Sequence, residues 1–224
     1  IINIGLEGIM VMSGFIGLIT LVSLSKTILA DSTFGKILIV VLTILAAILT
    51  GILYSGLLSV LSIKFNADQT LTGTALNLIA TAIAMIFTKR LNGGSSDTIN
   101  YNGSLFTRTI KFGEGKSLSV NIFLLLAIIT IIVSYFVLYK TRFGLRLRSC
   151  GENPNASVSV GINVKLYRYF GVGISGALGG LGALAYVIPT QQFWNASTGV
   201  AGFGFLALAI MIFGQWKPIR ISII

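Results

Sequence analysis

From residue 37 to residue 63 the chain runs for 27 residues without a charge. At about 1.5 Å of rise per residue a helix of that length reaches roughly 40 Å, beyond the roughly 30 Å hydrocarbon core of a bilayer. Further apolar runs occupy residues 8–24, 71–88, 120–139, 169–188 and 203–213. Only 10% of the 224 residues are charged, against about 25% in a soluble domain. The chain therefore lacks the polar surface that a soluble fold needs. These features predict an all-α, polytopic transmembrane helical bundle with about six hydrophobic elements, forming a single domain over residues 1–224. Runs 71–88 and 120–139 suit one crossing each, while 37–63 must tilt or project. Run 8–24 is short and 203–213 is too short to cross. Both are expected to be broken helices or elements that enter without crossing, an irregularity tolerated only where protein or a cavity covers the backbone. Such elements favour a transporter or channel over a simple anchor. The chain starts without Met and stops as apolar character resumes, so it reads as a fragment lacking both ends.

The formal net charge is +10. The cations sit at the edges of the apolar runs, where membrane topology accounts for them and nucleic acid is not required. Strict alternation puts Lys64, residues 140–168 and residues 217–220 on one side, and Lys26, Lys36 and residues 89–116 on the other. Lys140, Arg142, Arg146, Arg148, Lys165 and Arg168 crowd against two apolar runs. That density places loop 140–168 in the cytoplasm and loop 89–119 outside. The outer loop is rich in Gly, Ser, Thr and Asn, with turn signals at Asn92-Gly93 and Asn102-Gly103 that predict a small hairpin. The chain has no His and one Cys. This removes His-based acid–base chemistry, His/Cys metal clusters and any internal disulfide. No catalytic set and no metal site is expected, and Cys150 reads as a bystander small residue. No phosphate-cradling GxxxxGK[ST] motif occurs.

One polar stretch is heavily punctuated: "RLRSCGENPNASVSVGINVKLYR", residues 146–168. Asn153 is a good helix N-cap and Pro154 a good first helical residue. Gly161 stands where a left-handed C-terminal glycine belongs. Glu152 lies beside the positive end of the helix this predicts. Two turns of isolated helix are unstable in water, so this one must be held by its neighbours or by a partner. Connector and cytoplasmic interaction element are both open on these grounds.

"GENPNASVSVGINV" resembles the cytoplasmic signature of bacterial ABC-transporter permeases of the binding-protein-dependent inner-membrane family, which serve ribose-type sugars, branched-chain amino acids and nucleosides. "NIGLEGIMVMSGF" (3–15), "TLTGTALNLIATAIA" (70–84) and "GFGFLALAIMIFGQWKP" (202–218) resemble further motifs of that family, in the same order along nearly the whole chain. The first and last are most similar to the nucleoside branch. The resemblance implies the fold of an ABC importer permease, a multi-pass protein of the bacterial plasma membrane moving a small polar solute, with a nucleoside as the first expectation. It implies partner ATP-binding cassette subunits that hold the ATP and Mg, leaving none on this chain. It also implies an extracytoplasmic solute-binding protein and a second permease, more often a sister chain than an identical one. It further implies that Gly151, Glu152, Asn153, Pro154, Asn155, Ala156 and Gly161 form the coupling contact with the ATPase. Sugar or branched-chain amino acid permeases of the same family remain open. So does a non-ABC secondary transporter or channel, although that class would want intramembrane acids for ion coupling and Glu7 is the single candidate. The missing His and clustered acids argue against a third class, a membrane-bound enzyme.

Further residues divide between solute contact and packing. Asn3 and Glu7 lie one turn apart in "NIGLEG". They are expected either to line the solute pathway or, for Glu7, to cap or pair near the interface. Thr70, Thr74 and Asn77 share a helical face that suits hydrogen bonding to a solute or between helices. Gly171, Ser175, Gly179 and Ala183 repeat every four residues, with Gly176 and Gly180 forming a second stripe, as in small-residue helix packing. In "IPTQQFWNASTG" (188–199), Gln191, Gln192, Phe193, Trp194 and Asn195 are expected as a headgroup anchor or a contact for the binding protein.

Overall fold

The computed structural model describes residues 3–26, 32–94, 96–101, 106–112, 116–190 and 193–223. The long helices follow the apolar runs: α1 (Leu6–Ser25), α2 (Thr33–Ser59), α3 (Gln69–Leu91), α4 (Ile122–Lys140) and α7 (Val164–Thr190). Each contains a stretch long and apolar enough to cross a membrane. α2 runs on into a π-helical turn at Val60–Lys64, making a continuous rod over Phe34–Lys64. Its over-long run is therefore one continuous helix. α1 departs from expectation. It takes in Leu6, Glu7 and Ser25 and reaches 20 residues, a full crossing length. α8 (Phe203–Phe213) stays at 11 residues and is a half-length element.

Small residues organise the body of the bundle. On α7, Gly176 and Gly180 face α2, where a Cβ on either would overlap the backbone of Gly51 or Ala47. A quarter-turn round the same helix, Ser175, Gly179 and Ala183 face α1: Asn3 bonds Ser175, Leu6 and Ile9 lie over Gly179, and Ala183 touches the Gly14 position. The two small-residue stripes thus seat two different helices on α7. α3 docks on α1 by the same device, with a Cβ on Gly73 only 3.0 Å from the Gly5 nitrogen. Close backbone approach of this kind is how helices associate where lipid removes the hydrophobic drive. α4 stands apart, with Phe123 its one buried residue.

At one end of the bundle lie two small sheets. β1 (Thr98–Asn100) pairs antiparallel with β4 (Phe193–Asn195), Ile99 opposite Trp194. β2 (Thr107–Phe112) and β3 (Lys116–Asn121) form an antiparallel hairpin, the one anticipated from the Gly- and Asn-rich composition. Of its turn signals, Asn92-Gly93 instead ends α3, with Gly93 at φ 63°, and Asn102-Gly103 lie outside the described residues. At the opposite end, α5 (Arg142–Glu152), α6 (Pro154–Ser159) and the short α9 (Pro218–Ile221) gather the cations.

Candidate coupling loop and intramembrane polar site

The punctuated stretch folds as two helices, one more than its caps suggest. α4 breaks at Thr141, whose hydroxyl donates to the Val137 carbonyl at 2.6 Å and accepts from the Gly144 amide at 3.2 Å. Gly144 lies against the backbone of Val137 and Leu138, where no Cβ fits. α5 then runs to Glu152, an amphipathic helix that the sequence reading missed. Its signal was present in the alternation of Arg142, Arg146 and Arg148 with Leu145 and Leu147. Two of these arginines are tied down. Arg146 donates to the Tyr167 hydroxyl at 3.3 Å, which raises the pKa of its guanidinium, and Arg148 lies 4.7 Å over the Tyr139 ring. Cation–ring contacts and charged hydrogen bonds of this kind fix orientation. α5 is therefore bonded to both α4 and α7.

α6 follows after the single residue Asn153. The Asn153 side-chain oxygen accepts from the Ala156 amide at 3.1 Å, and Pro154 takes the first helical position. At the far end Gly161 adopts φ 80°, and the Ile162 amide returns to the Ser157 carbonyl at 3.0 Å. This is the closed C-terminal turn that glycine permits. Ser157 is buried, its hydroxyl 3.4 Å from that of Ser149 on α5. Gly151, Glu152, Asn153, Asn155, Ala156 and Gly161 are exposed, and Pro154 is partly so. A six-residue helix is thus fixed at both ends and along one side, with its outer face free.

Inside the bundle the polar residues of α1 and α3 find one another. The Asn77 side chain accepts from the Gly8 amide at 2.8 Å and donates to the Ile4 carbonyl at 3.0 Å. It satisfies two orphan backbone groups at the start of α1 and locks α3 to it. Glu7 reaches the other way. One carboxylate oxygen accepts from the Gly202 amide at 2.9 Å and the other from the Gly204 amide at 2.7 Å. Gly202 is the N-cap of α8, so a negative charge sits on the positive end of that half-helix, a favourable arrangement. Gly202 has φ 83°, and a Cβ on Gly204 would lie 2.6 Å from the Glu7 Cα. Neither glycine was singled out in the sequence. Only the "GFG" spacing before an apolar run hinted at a helix start.

The remaining candidates separate. Asn3 is buried and donates to the Ser175 hydroxyl at 3.0 Å. It shares with Gly151 and Cys150 the wall of a cavity of about 180 Å³ between α5 and α7. Thr70 and Thr74 are exposed, and the Thr74 hydroxyl donates back to its own helix at the Thr70 carbonyl. Of the three residues on that face, only Asn77 meets α1. Gly171 lies under Leu147 of α5. Trp194 corrects an expectation: it is fully buried against the Gly14 position and is not a headgroup anchor. The pairing of β4 with β1 turns its ring inward. Phe193 is exposed, and Gln191 and Gln192 lie outside the described residues.

Comparison with known proteins now decides the family. The model of the branched-chain amino acid transport system / permease component family matches residues 1–224. The chain belongs to that family of permeases. It is a multi-pass protein of the bacterial inner membrane, and the permeases it resembles are subunits of ABC transporters. The nucleoside ABC transporter permease protein NupC of Lactococcus lactis subsp. cremoris (strain MG1363) is 38% identical over 224 residues, 98% of this chain and 68% of the relative. The guanosine ABC transporter permease protein NupQ of Bacillus subtilis (strain 168) is 37% identical over 229 residues, with the same coverage of each. A second Lactococcus lactis protein, the nucleoside ABC transporter permease protein NupB, is 28% identical over 134 residues, 60% of this chain and 34% of its own length. No solved structure matches.

Proposed function

We propose that this chain is the transmembrane permease subunit of an ATP-driven importer that carries nucleosides across the bacterial plasma membrane. The observation that carries the reading is α6. A helix too short to persist alone is capped at both ends, braced on α5 and presented outward from the most cationic end of the bundle. That geometry suits docking into a separate ATPase subunit, which would hold the ATP and Mg, with this end in the cytoplasm by its Lys and Arg density. Displacement of α6 reaches α5 through Ser149–Ser157. It passes to α4 and α7 through Arg148–Tyr139 and Arg146–Tyr167, and from α7 to the helices seated on its two stripes. Closure of the ATPase pair thereby acts on the helices that bound the solute route.

Nucleoside as the solute rests on the names of the two relatives above. The resemblance to NupB as well as NupC, from one organism, favours pairing with a non-identical sister permease. The sheet end is then external and available to a solute-binding protein. The exposure of Thr70 and Thr74 supports reading them as contacts for a solute passing between two permeases, whereas Asn77 is engaged between helices.

Uptake of radiolabelled guanosine and uridine by cells expressing the complete transporter tests this reading, with Glu152→Arg as the comparison. Glu152 is exposed at the α5–α6 junction, so its reversal leaves folding intact and disturbs docking. ATP-dependent uptake that is lost in the variant at normal expression supports the assignment. Entry of ribose or leucine instead of nucleosides changes the solute but keeps the class. Uptake that needs no ATPase subunit overturns the ABC reading.

A further inference from the structure

The chain after α7 enters the bundle beside α1 without forming a helix. Trp194 packs on the Gly14 position, Gly199 on Val11, and Gly202 and Gly204 on Glu7. Residues 194–204 thus descend α1 antiparallel, past two turns of a helix that is itself long and apolar enough to cross a membrane. The segment is fixed above by β1–β4 pairing and the buried Trp194, and at its turn into α8 by Glu7. It is also flanked by the Tyr186–Phe203 ring contact at 4.1 Å. The lower attachment is different in kind from the upper one. It consists of two hydrogen bonds to one side chain, made where Gly204 approaches the Glu7 backbone closely, with no strand pairing and no buried large side chain holding it.

We propose that Glu7 is a latch. It is a positioning residue that holds α8 and the strand-to-helix segment before it as a hinged gate in the wall of the solute route. The inference rests on the transport reading above. Both Glu7 oxygens are engaged by Gly202 and Gly204, so Glu7 acts on the solute only through α8. The carboxylate and the positive end of α8 compensate each other, so the closed gate presents no uncompensated charge to a neutral solute. Releasing the latch swings α8 about the segment pinned at Trp194.

The test uses the complete transporter, both permeases with the ATPase subunits and the solute-binding protein, in proteoliposomes, with Cys150→Ser in this chain. Leu208→Cys places one thiol on the half-buried side of α8, one turn beyond the buried Gly204, and Ile79→Cys places a control thiol on the exposed side of α3. N-ethylmaleimide labelling of this chain and nucleoside moved per ATP hydrolysed are both measured. Glu7→Gln keeps one acceptor and Glu7→Ala none. The expected labelling rate at position 208 rises in the order wild type, Gln, Ala, by about tenfold at the end of the series for loss of two charge-assisted bonds. The rate at position 79 stays constant. Nucleoside moved per ATP falls in the same order, which loss of folded protein alone does not produce. Gly204→Ala pushes on the Glu7 backbone from the other side and is expected to act like Glu7→Ala, covering the case in which a Glu7 variant fails to assemble. Unchanged labelling at 208 in both Glu7→Ala and Gly204→Ala overturns the latch, as does an unchanged ratio of solute to ATP. If the wild-type complex moves no nucleoside, the solute assignment fails separately and the labelling series still decides the latch.

Discussion

Asp68 governs where α3 begins. Its side-chain oxygen accepts from the Thr70 amide at 2.7 Å and the Leu71 amide at 3.3 Å, and these bonds to the charged form lower its pKa. A carboxyl whose pKa is depressed in the folded state stabilises that state above the ordinary carboxylate range. The contribution is lost as pH falls through the depressed value. Thermal stability in detergent is therefore expected to fall on acidification with a component that Asp68→Asn removes, since the amide keeps an acceptor oxygen and does not titrate there. An identical acid slope in the variant would show that other carboxylates set it. The same residue-scale logic explains what the sequence reveals. Asn153, Pro154 and Gly161 are legible because a cap bonds within three or four residues of itself. Glu7 is not, because its two partners lie 195 and 197 residues away. A carboxylate in an apolar run announces that it needs a partner, and nothing local says whether that partner is solute, cation or helix end.

For whole elements, the decisive contrast lies along α7. Gly176 meets the backbone of Gly51 and the side chain of Ser55, whereas a Cβ on Gly173, less than one turn earlier on the same helix, would meet nothing within 4 Å. Gly176→Ala is expected to lower stability by about 1–3 kcal/mol through overpacking. Gly173→Ala is expected to raise it by about 0.5–1 kcal/mol through helix propensity. Thermal shifts of opposite sign in detergent check this; shifts of the same sign would remove the α2–α7 seat as the cause. The four-residue repeat identifies the stripes from sequence alone. Which helix fills each is a tertiary fact, as is the existence of α5. Its amphipathic pattern is short, and its apolar side is small enough to pass for the flank of a charged loop. α1 exceeds its apolar run for a related reason: hydropathy stops at a charge, whereas a helix stops where its hydrogen bonds do, and Glu7 is inside the first turn because α8 receives it.

Across the molecule, the distribution of buried residues is that of a protein turned toward lipid. α1, α2, α3 and α7 bury small and branched side chains against one another. α4 exposes Leu124, Leu125, Ile128, Ile129, Ile132 and Phe136 along its length and buries only Phe123. On a soluble protein an apolar face of that extent would be an association or aggregation site; in a bilayer it is the surface solvated by acyl chains. The two environments predict different penalties for one substitution. Leu184 is fully buried against the Gly17 position of α1, so Leu184→Ala opens a cavity and costs about 2–5 kcal/mol. Ile132 is 62% exposed near the middle of α4, so Ile132→Ala changes thermal stability in detergent by less than about 0.5 kcal/mol. Ile132→Lys reverses the ranking when insertion is measured, because a charge at the centre of a crossing helix costs about 2.5–3.5 kcal/mol on biological insertion scales. The expected pattern is a folded but poorly inserted Ile132→Lys protein and a well inserted but easily melted Leu184→Ala protein. Equal loss of insertion and of thermal stability in both variants would mean that α4 is packed against protein along the face that here meets lipid.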